Sequence, residues 1–236
     1  MVRPRTPLLN RDRIVEVATA IVDADGLDAL STRRLARELG VQAPSLYNHF
    51  ATKEEIVDAV GDAIVAGVDL SMLGRDPWPS ALRSWARAYR SAFRAHPNVV
   101  PFLARGPARR PASLRLADAV YGALVDAGWP PTHATRIGAA MRYFVAGSAL
   151  GSFALGFVDD PSLYAADYPH LRDAHRLAGR HTQVDDGAFE LGLDALVDGL
   201  ERKFALLPGV GGGLLRDPVG DGAVDQAQDG VGEGVE

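Results

Sequence analysis

Ser45, Asn48 and His49 stand three and four residues apart, with Tyr47 at the edge of the face they define. On a helix that spacing gathers them on one side. Hydroxyl, carboxamide, imidazole and phenol are short groups that exchange hydrogen bonds without a full charge, an inventory suited to base edges and phosphates in a major groove about 12 Å wide. Leu46 and Phe50, four apart on the other side, are apolar and predict contact with the body of the protein. Lys53 follows in the first turn of the next helix, where the macrodipole disfavours a cation by about 0.3–1 kcal/mol. A phosphate docked there would reverse that sign, because backbone amides and lysine would both attract it. Pairing with Glu54 or Glu55 in solvent is the other use of the charge, and the residues leave both open.

The elements that must position these groups are legible around them. Asn10 predicts the cap of a first helix carrying Ile14, Val17, Ala18 and Ile21 at helical spacing, and Gly26 predicts its end. A second helix starts at Ser31 or Thr32, buries Leu35, Ala36 and Leu39, and stops at Gly40. Val41, Gln42 and Ala43 form the turn, and Pro44 suits the first position of a third helix reaching Phe50. Thr52 to Glu55 reads as a capping box opening a fourth helix to about Met72. Helix, short turn, helix is the spacing of a helix-turn-helix. Arg33, Arg34 and Arg37, and the arm Arg3-Pro4-Arg5, can reach flanking phosphates.

Gly74 to Pro79 predicts a boundary, followed by helices near 80–95, 98–105, 112–127, 132–157 and 186–206, with a short one near 162–178. No stretch alternates long enough for a strand, so the expected fold is all-α. The expected organisation is a basic arm over 1–9, a helix-turn-helix domain with its connecting helix over 10–73, a larger helical domain over 74–207, and a disordered acidic tail over 208–236.

Composition narrows the function. The 236 residues carry a formal charge of −5 and no cysteine, which excludes disulfides, thiolate zinc sites and cysteine nucleophiles. The segment from Pro208 onward holds one arginine against six acids and accounts for the whole imbalance, so any DNA binding must come from placement of charge. No secretory signal is read at the N-terminus, and the longest uncharged run, Tyr143 to Val158, falls short of a membrane span; a cytoplasmic protein is expected. No nucleophile elbow, glycine-rich phosphate loop or paired-acid motif suggests an enzyme. His170, His175 and His181 are spaced wrongly for one helix face, and neither a metal nor a cofactor is expected.

The string Leu30-Ser31-Thr32-Arg33-Arg34-Leu35-Ala36-Arg37-Glu38-Leu39-Gly40-Val41, followed by Pro44-Ser45-Leu46-Tyr47-Asn48-His49-Phe50-Ala51-Thr52-Lys53, closely resembles the N-terminal domain of TetR-family transcriptional regulators. The likeness is strong over about 10–70. It continues more weakly in Phe144 to Gly147 and Asp186 to Asp194, in the manner of a tetracycline-repressor type of regulatory domain. The resemblance implies that Thr32 and Arg33 touch backbone and flanking bases and that Ala43, Pro44, Ser45 and Asn48 face bases. Tyr47, His49 and Lys53 would hold phosphates.

Trp85, Tyr89 and Phe93 form an aromatic stripe that by spacing alone is more often core than ligand site. The resemblance turns it toward a small-molecule effector pocket lined by Trp85, Tyr89, Phe102, Trp129, Met141 and Phe144, with Arg105 as an orienting charge. Tetracycline-type regulators grip a drug–magnesium chelate through a histidine and an acidic residue. The matching stretches Leu103-Ala104-Arg105 and Ala149-Leu150-Gly151 supply no metal ligand, so an apolar or aromatic effector is expected.

Gly147, Gly151 and Gly156 in an apolar helix, with the stripe Phe189, Leu193, Leu196, Val197 and Leu200, suggest a four-helix interface in a homodimer. The expectation is a repressor released from a palindromic double-stranded operator by its effector. The alternative is a helical ligand-binding protein or enzyme with a vestigial helix-turn-helix.

Overall fold

The structure, a computed structural model, describes residues 9–104, 109–165 and 167–208. Among these the fold is all-helical, with no strand. The expected arm and tail fall, but for Leu9 and Pro208, outside the described residues, as does Arg105.

Helix α1 (Arg11–Asp25) opens as expected, Asn10 accepting the Arg13 amide at 2.8 Å. In α2 (Thr32–Leu39) the Ser31 hydroxyl plays the same part for Arg34. Gly40 sits at φ 68°, where a Cβ would strain the backbone, and lets Gly40 N–H reach Arg37 O while Val41 N–H reaches Ala36 O. That double bond sequence turns the chain sharply into α3.

Helix α3 (Ala43–Leu46) is shorter than the sequence suggests, and Pro44 occupies its second position rather than its first. The regular helix ends at Leu46, and the chain continues in turns, one of them closed by an α-type bond from Phe50 N–H to Leu46 O at 3.0 Å. Helix α4 (Lys53–Ala66) is capped by Thr52, which accepts the Glu55 amide at 3.1 Å. The Glu55 carboxylate reaches back to Ala51 N–H at 2.8 Å, one residue earlier than in the standard capping box. α4 stops at Ala66 rather than near Met72, because Gly67 follows and Asp69 takes the Ser71 amide and hydroxyl in a local turn. Those two bonds hold the Asp69 carboxyl below its ordinary value.

The second half comprises α5 (Trp78–Ala95), α6 (Val100–Leu103), α7 (Pro111–Asp126), α8 (Pro131–Gly147), α9 (Pro161–Ala165) and α10 (His181–Ala205). Short 3-10 turns link α8, α9 and α10. α8 ends ten residues before the expected 157, with the Ser148 hydroxyl bonded back to Val145 O. Gly151 and Gly156 therefore lie outside the helix, and nothing approaches a Cβ placed at either of them or at Gly147. The close approaches occur elsewhere. A Cβ at Gly138 would meet the Tyr121 ring at 2.1 Å, and one at Gly192 would meet Phe144 at 2.7 Å.

The expected interface stripe on α10 is also corrected. Phe189, Leu193 and Val197 are buried within this chain, in the same core as Leu82, Trp85, Ala86 and Met141. An arginine ladder seats α10 on α5: Arg83 meets Asp194, Asp198 and Glu201, Arg87 meets Glu190, and both Arg90 and Arg94 meet Asp186. Arg90 also lies over the Phe189 ring at 4.3 Å.

Candidate DNA interface and effector core

Leu46 and Phe50 are buried, with α3 packed on α2 and the Phe50 ring beneath Arg11 of α1, and this orients the remaining side chains of α3. Tyr47 is 54% exposed. Asn48 and Pro44 are also exposed, and Ala43, Ser45 and His49 are half-buried. Thr32 and Lys53, at the starts of α2 and α4, are half-buried, and Arg33 is exposed. Every residue expected to touch DNA thus retains solvent access, on the two short helices and the helix start that follows them. Lys53 makes no ion pair among the described residues, and Glu55 spends its carboxylate on Ala51. Pairing with Glu55 is therefore not its role here.

Two arginines differ from expectation. Arg34 pairs with Asp25, so its charge ties α2 to α1 rather than standing ready for phosphate. Arg11 was not singled out in the sequence, yet it donates to the His49 carbonyl and stacks over the Phe50 ring at 3.9 Å. It anchors the turn after α3 to α1. Its only sequence signal is a position in the first turn of α1, which does not distinguish it from Arg13.

The domain is joined to the second half by polar contacts. His96 Nδ1 lies 2.9 Å from an Asp23 oxygen, and the Asn98 side chain donates to the Val22 and Asp23 carbonyls at the end of α1. Asp62 of α4 accepts the amides of Ala112 and Ser113 at the start of α7.

The expected effector residues other than Arg105 share one hydrophobic core or pack against it, in three aromatic groupings. Trp85 and Tyr89 stack at 5.6 Å on α5, in the core to which Met141 of α8 belongs. Phe102 lies beneath Arg110, whose guanidinium is 4.9 Å from the ring centroid. Arg110 is only 4% exposed and faces Asp58 at 3.6 Å. Burial pushes its pKa down, Asp58 opposes that shift, and the nearby Arg142 reinforces it. Arg142 itself bonds the Leu103 carbonyl and contacts the Tyr89 hydroxyl. Burial raises the Tyr89 phenol, partly offset by Arg142 and Arg110.

Trp129, in the same core, packs with Trp78 at 5.5 Å and Phe204 at 5.0 Å. Phe144 stacks on Phe189 at 5.3 Å and lines an outer cleft with Tyr143 and Phe153. Composition and spacing could not separate these three groups, because all are aromatic residues at helical intervals. Arg110 and Arg142, which stand beside Tyr89, carried no local sequence signal. No group of metal-ligating side chains occurs among the described residues.

An exposed polar reading helix on a three-helix head, carried by a larger helical body, defines a helix-turn-helix regulator. Residues 14–60 match the family described as Bacterial regulatory proteins, tetR family, and residues 71–204 match Tetracyclin repressor-like, C-terminal domain. The chain belongs to the TetR family of ligand-responsive, DNA-binding transcriptional regulators, which act as dimers.

An HTH-type transcriptional regulator of Saccharopolyspora erythraea is 31% identical over 208 residues, covering 85% of this chain and 88% of the relative. The class A tetracycline repressor protein from transposon 1721 of Escherichia coli is 32% identical, covering 86% and 96%. Among solved structures, the Streptomyces coelicolor TetR family protein ActR in complex with actinorhodin matches with a TM-score of 0.66 at 30% identity, covering 83% of this chain and 98% of that one. No helix among the described residues is long and apolar enough to cross a membrane.

Proposed function

We propose that this chain is a cytoplasmic, non-enzymatic repressor whose α2–α3 head reads the operator. Thr32 and Arg33 touch backbone and flanking bases; Ala43, Pro44, Ser45 and Asn48 face base edges; Tyr47, His49 and Lys53 hold phosphates. The observation that carries this assignment is Lys53, a cation at a helix start with no ion-pair partner among the described residues, beside an exposed polar α3. A docked phosphate supplies the missing partner. Ala43 offers a methyl group alone and contributes little direct readout.

The effector core is assigned to Trp85, Tyr89, Phe102 and Met141, with Arg110 and Arg142 taking the orienting part expected of Arg105. Its apolar walls suit an aromatic body. Trp129, against Trp78 and Phe204, and Phe144, against Phe189, support the helical packing around those side chains. Effector binding and operator binding are coupled reciprocally, so each weakens the other by the same factor, typically about 1–3 kcal/mol.

Two copies meet through exposed stripes on α8 and α10. Arg136, Ala140 and Tyr143 share one exposed side of α8, and Ala188, Leu191 and Ala195 share one of α10, each at three- and four-residue spacing. Leu191 is 75% exposed and Tyr143 71%, unusual for apolar side chains flanked by small residues.

Fluorescence anisotropy on DNA flanking the chain's own gene, compared with random DNA across a salt series, tests the function. Specific binding about 10³-fold above random, with log K falling steeply in log salt, is expected. Equal weak binding to both DNAs, and no enriched sequence from a random pool, would favour a vestigial head.

A further inference from the structure

Arg142, beside Tyr89, carries a positive charge for which the described residues supply no carboxylate. Arg142 leaves α8 half-buried and is held by the neutral Leu103 carbonyl and the Tyr89 hydroxyl; among the described residues it pairs with no carboxylate. Arg110 approaches the same phenol from the start of α7, over Phe102, and shares its charge with Asp58 of α4. Asp62, the other carboxylate nearby, is committed to the amides of Ala112 and Ser113. Trp85, one helical turn before Tyr89, has a fully buried indole N–H with no acceptor among the described residues. Two guanidiniums close enough to disfavour each other's charge, one of them buried, repel each other, and a buried donor without an acceptor is destabilising. An acid supplies the anion that the guanidiniums lack, and its aromatic body suits the apolar walls beside them.

We infer that the effector is a flat aromatic acid whose ring system lies against Trp85 and Met141 and whose anionic oxygens are received by Arg142, Arg110 and the Tyr89 hydroxyl. This rests on the ligand-responsive function proposed above. It also gives a route from ligand to head. The anion competes with Asp58 for Arg110 and so loosens the tie between α7 and α4, the helix whose first turn carries Lys53. A cleft of about 320 Å3, whose charged lining is Arg11, Glu55, Asp58, Asp62, Arg109 and Arg110, gives access to that pair from solvent.

The test uses the full chain and two probes with the same three-ring body, 9-anthracenecarboxylate and the neutral 9-anthracenemethanol, read by tryptophan quenching at neutral pH. The acid should bind at least tenfold more tightly than the alcohol. Arg142→Gln should bring the two within about threefold, chiefly by weakening the acid, and Arg142→Lys should restore part of the preference. Asp58→Asn should tighten the acid several-fold, and it carries the test in the opposite direction if Arg142→Gln fails to fold. Equal affinities, binding of neither probe, or a preference that survives Arg142→Gln overturns the inference. Operator binding measured in parallel separates the two ideas. A protein that binds its operator but prefers the alcohol loses the acid site alone; one that prefers the acid without binding DNA loses the regulator alone.

Discussion

One carboxylate oxygen of Asp62 in α4 accepts the backbone amide of Ala112 at 2.7 Å, and that of Ser113 at 3.2 Å, at the start of α7. The first amides of a helix have no partner within it, so a carboxylate from another element caps α7 from outside. The bond therefore joins the helix that follows the DNA-binding head to the helix that begins directly after Arg110. Asp62→Ala should destabilise the protein by about 1–3 kcal/mol, since it leaves two amides without their charged acceptor. Asp62→Asn keeps an acceptor and should lose much less. Denaturant melts of both variants check this, and equal losses would mean that the carboxylate is not acting as a cap.

How much of this was legible beforehand differs between the two halves. The head is built from local signals: Asn10, Ser31, Gly40 and Thr52 each act on neighbours within five residues, so their spacing foretold the helices they bound. Tertiary contacts decided the rest. Arg11 on His49, Arg34 on Asp25 and Arg142 on Leu103 join residues nine or more positions apart, and no periodicity announces such pairs. The end of α8 was missed for a different reason. The apolar run continues past Gly147 without a charge to mark the exit, and only the Ser148 bond to Val145 shows where the helix stops.

Phosphate and base contacts should separate by their dependence on sequence. Lys53→Ala and Tyr47→Phe should weaken binding on specific and random DNA alike, and Lys53→Ala should reduce the slope of log K against log salt by about one. Asn48→Ala should lose about 1–3 kcal/mol of discrimination at one base position of each half-site and little on random DNA. Anisotropy on a set of single-base operator variants measures both. A uniform loss across sequences for Asn48→Ala would remove it from base readout.

The α5–α10 ladder gives the fold a dependence on acid. The Arg90 hydrogen bond holds the Asp186 carboxyl below its ordinary 3.8, and the Arg87 hydrogen bond holds Glu190 below 4.5. A carboxyl with a lower pKa folded than unfolded adds stability above its unfolded value and loses it as pH falls through the folded one. The ladder should therefore be intact at neutral pH and weaken progressively below about 4.5. Both carboxylates are substantially exposed, so the effect is modest and shrinks with salt. Thermal melts should show Tm falling less steeply from pH 5 to 3 in Asp186→Asn/Glu190→Gln than in the unaltered chain. Parallel curves would show that other groups set the acid response.

Gly138 sets two helix effects against each other. Alanine favours a helix interior over glycine by about 1 kcal/mol. A Cβ at this position meets the Tyr121 ring at 2.1 Å, and a ring packed between α7 and α8 has no flexible end to move aside. Overpacking of that kind costs about 1–3 kcal/mol, so the net effect of Gly138→Ala should be destabilising. Combining it with Tyr121→Leu should recover stability relative to the single Gly138→Ala change. A Gly138→Ala protein more stable than the parent would mean that the two helices separate without cost.

Leu191 provides the sharpest test of where two copies meet. It projects from α10 between Ala188 and Ala195, on the side away from the buried Phe189, Leu193 and Val197. The salt-bridged acids of α10 occupy the α5 side, which leaves this small-residue stripe as the surface through which a second α10 can pack closely. In a two-fold interface each copy contributes the same residue, so Leu191→Asp places two like charges in one apolar contact and lacks any partner to neutralise them. The variant should sediment as a monomer at micromolar concentration with its helical content retained. Its affinity for a two-half-site operator should collapse toward that of random DNA, because each head then binds alone. Leu206→Asp, at another exposed leucine just beyond the end of α10, should leave the dimer intact and serves as the matched control. A Leu191→Asp protein that remains a dimer and binds its operator normally would move the interface to another face of the molecule.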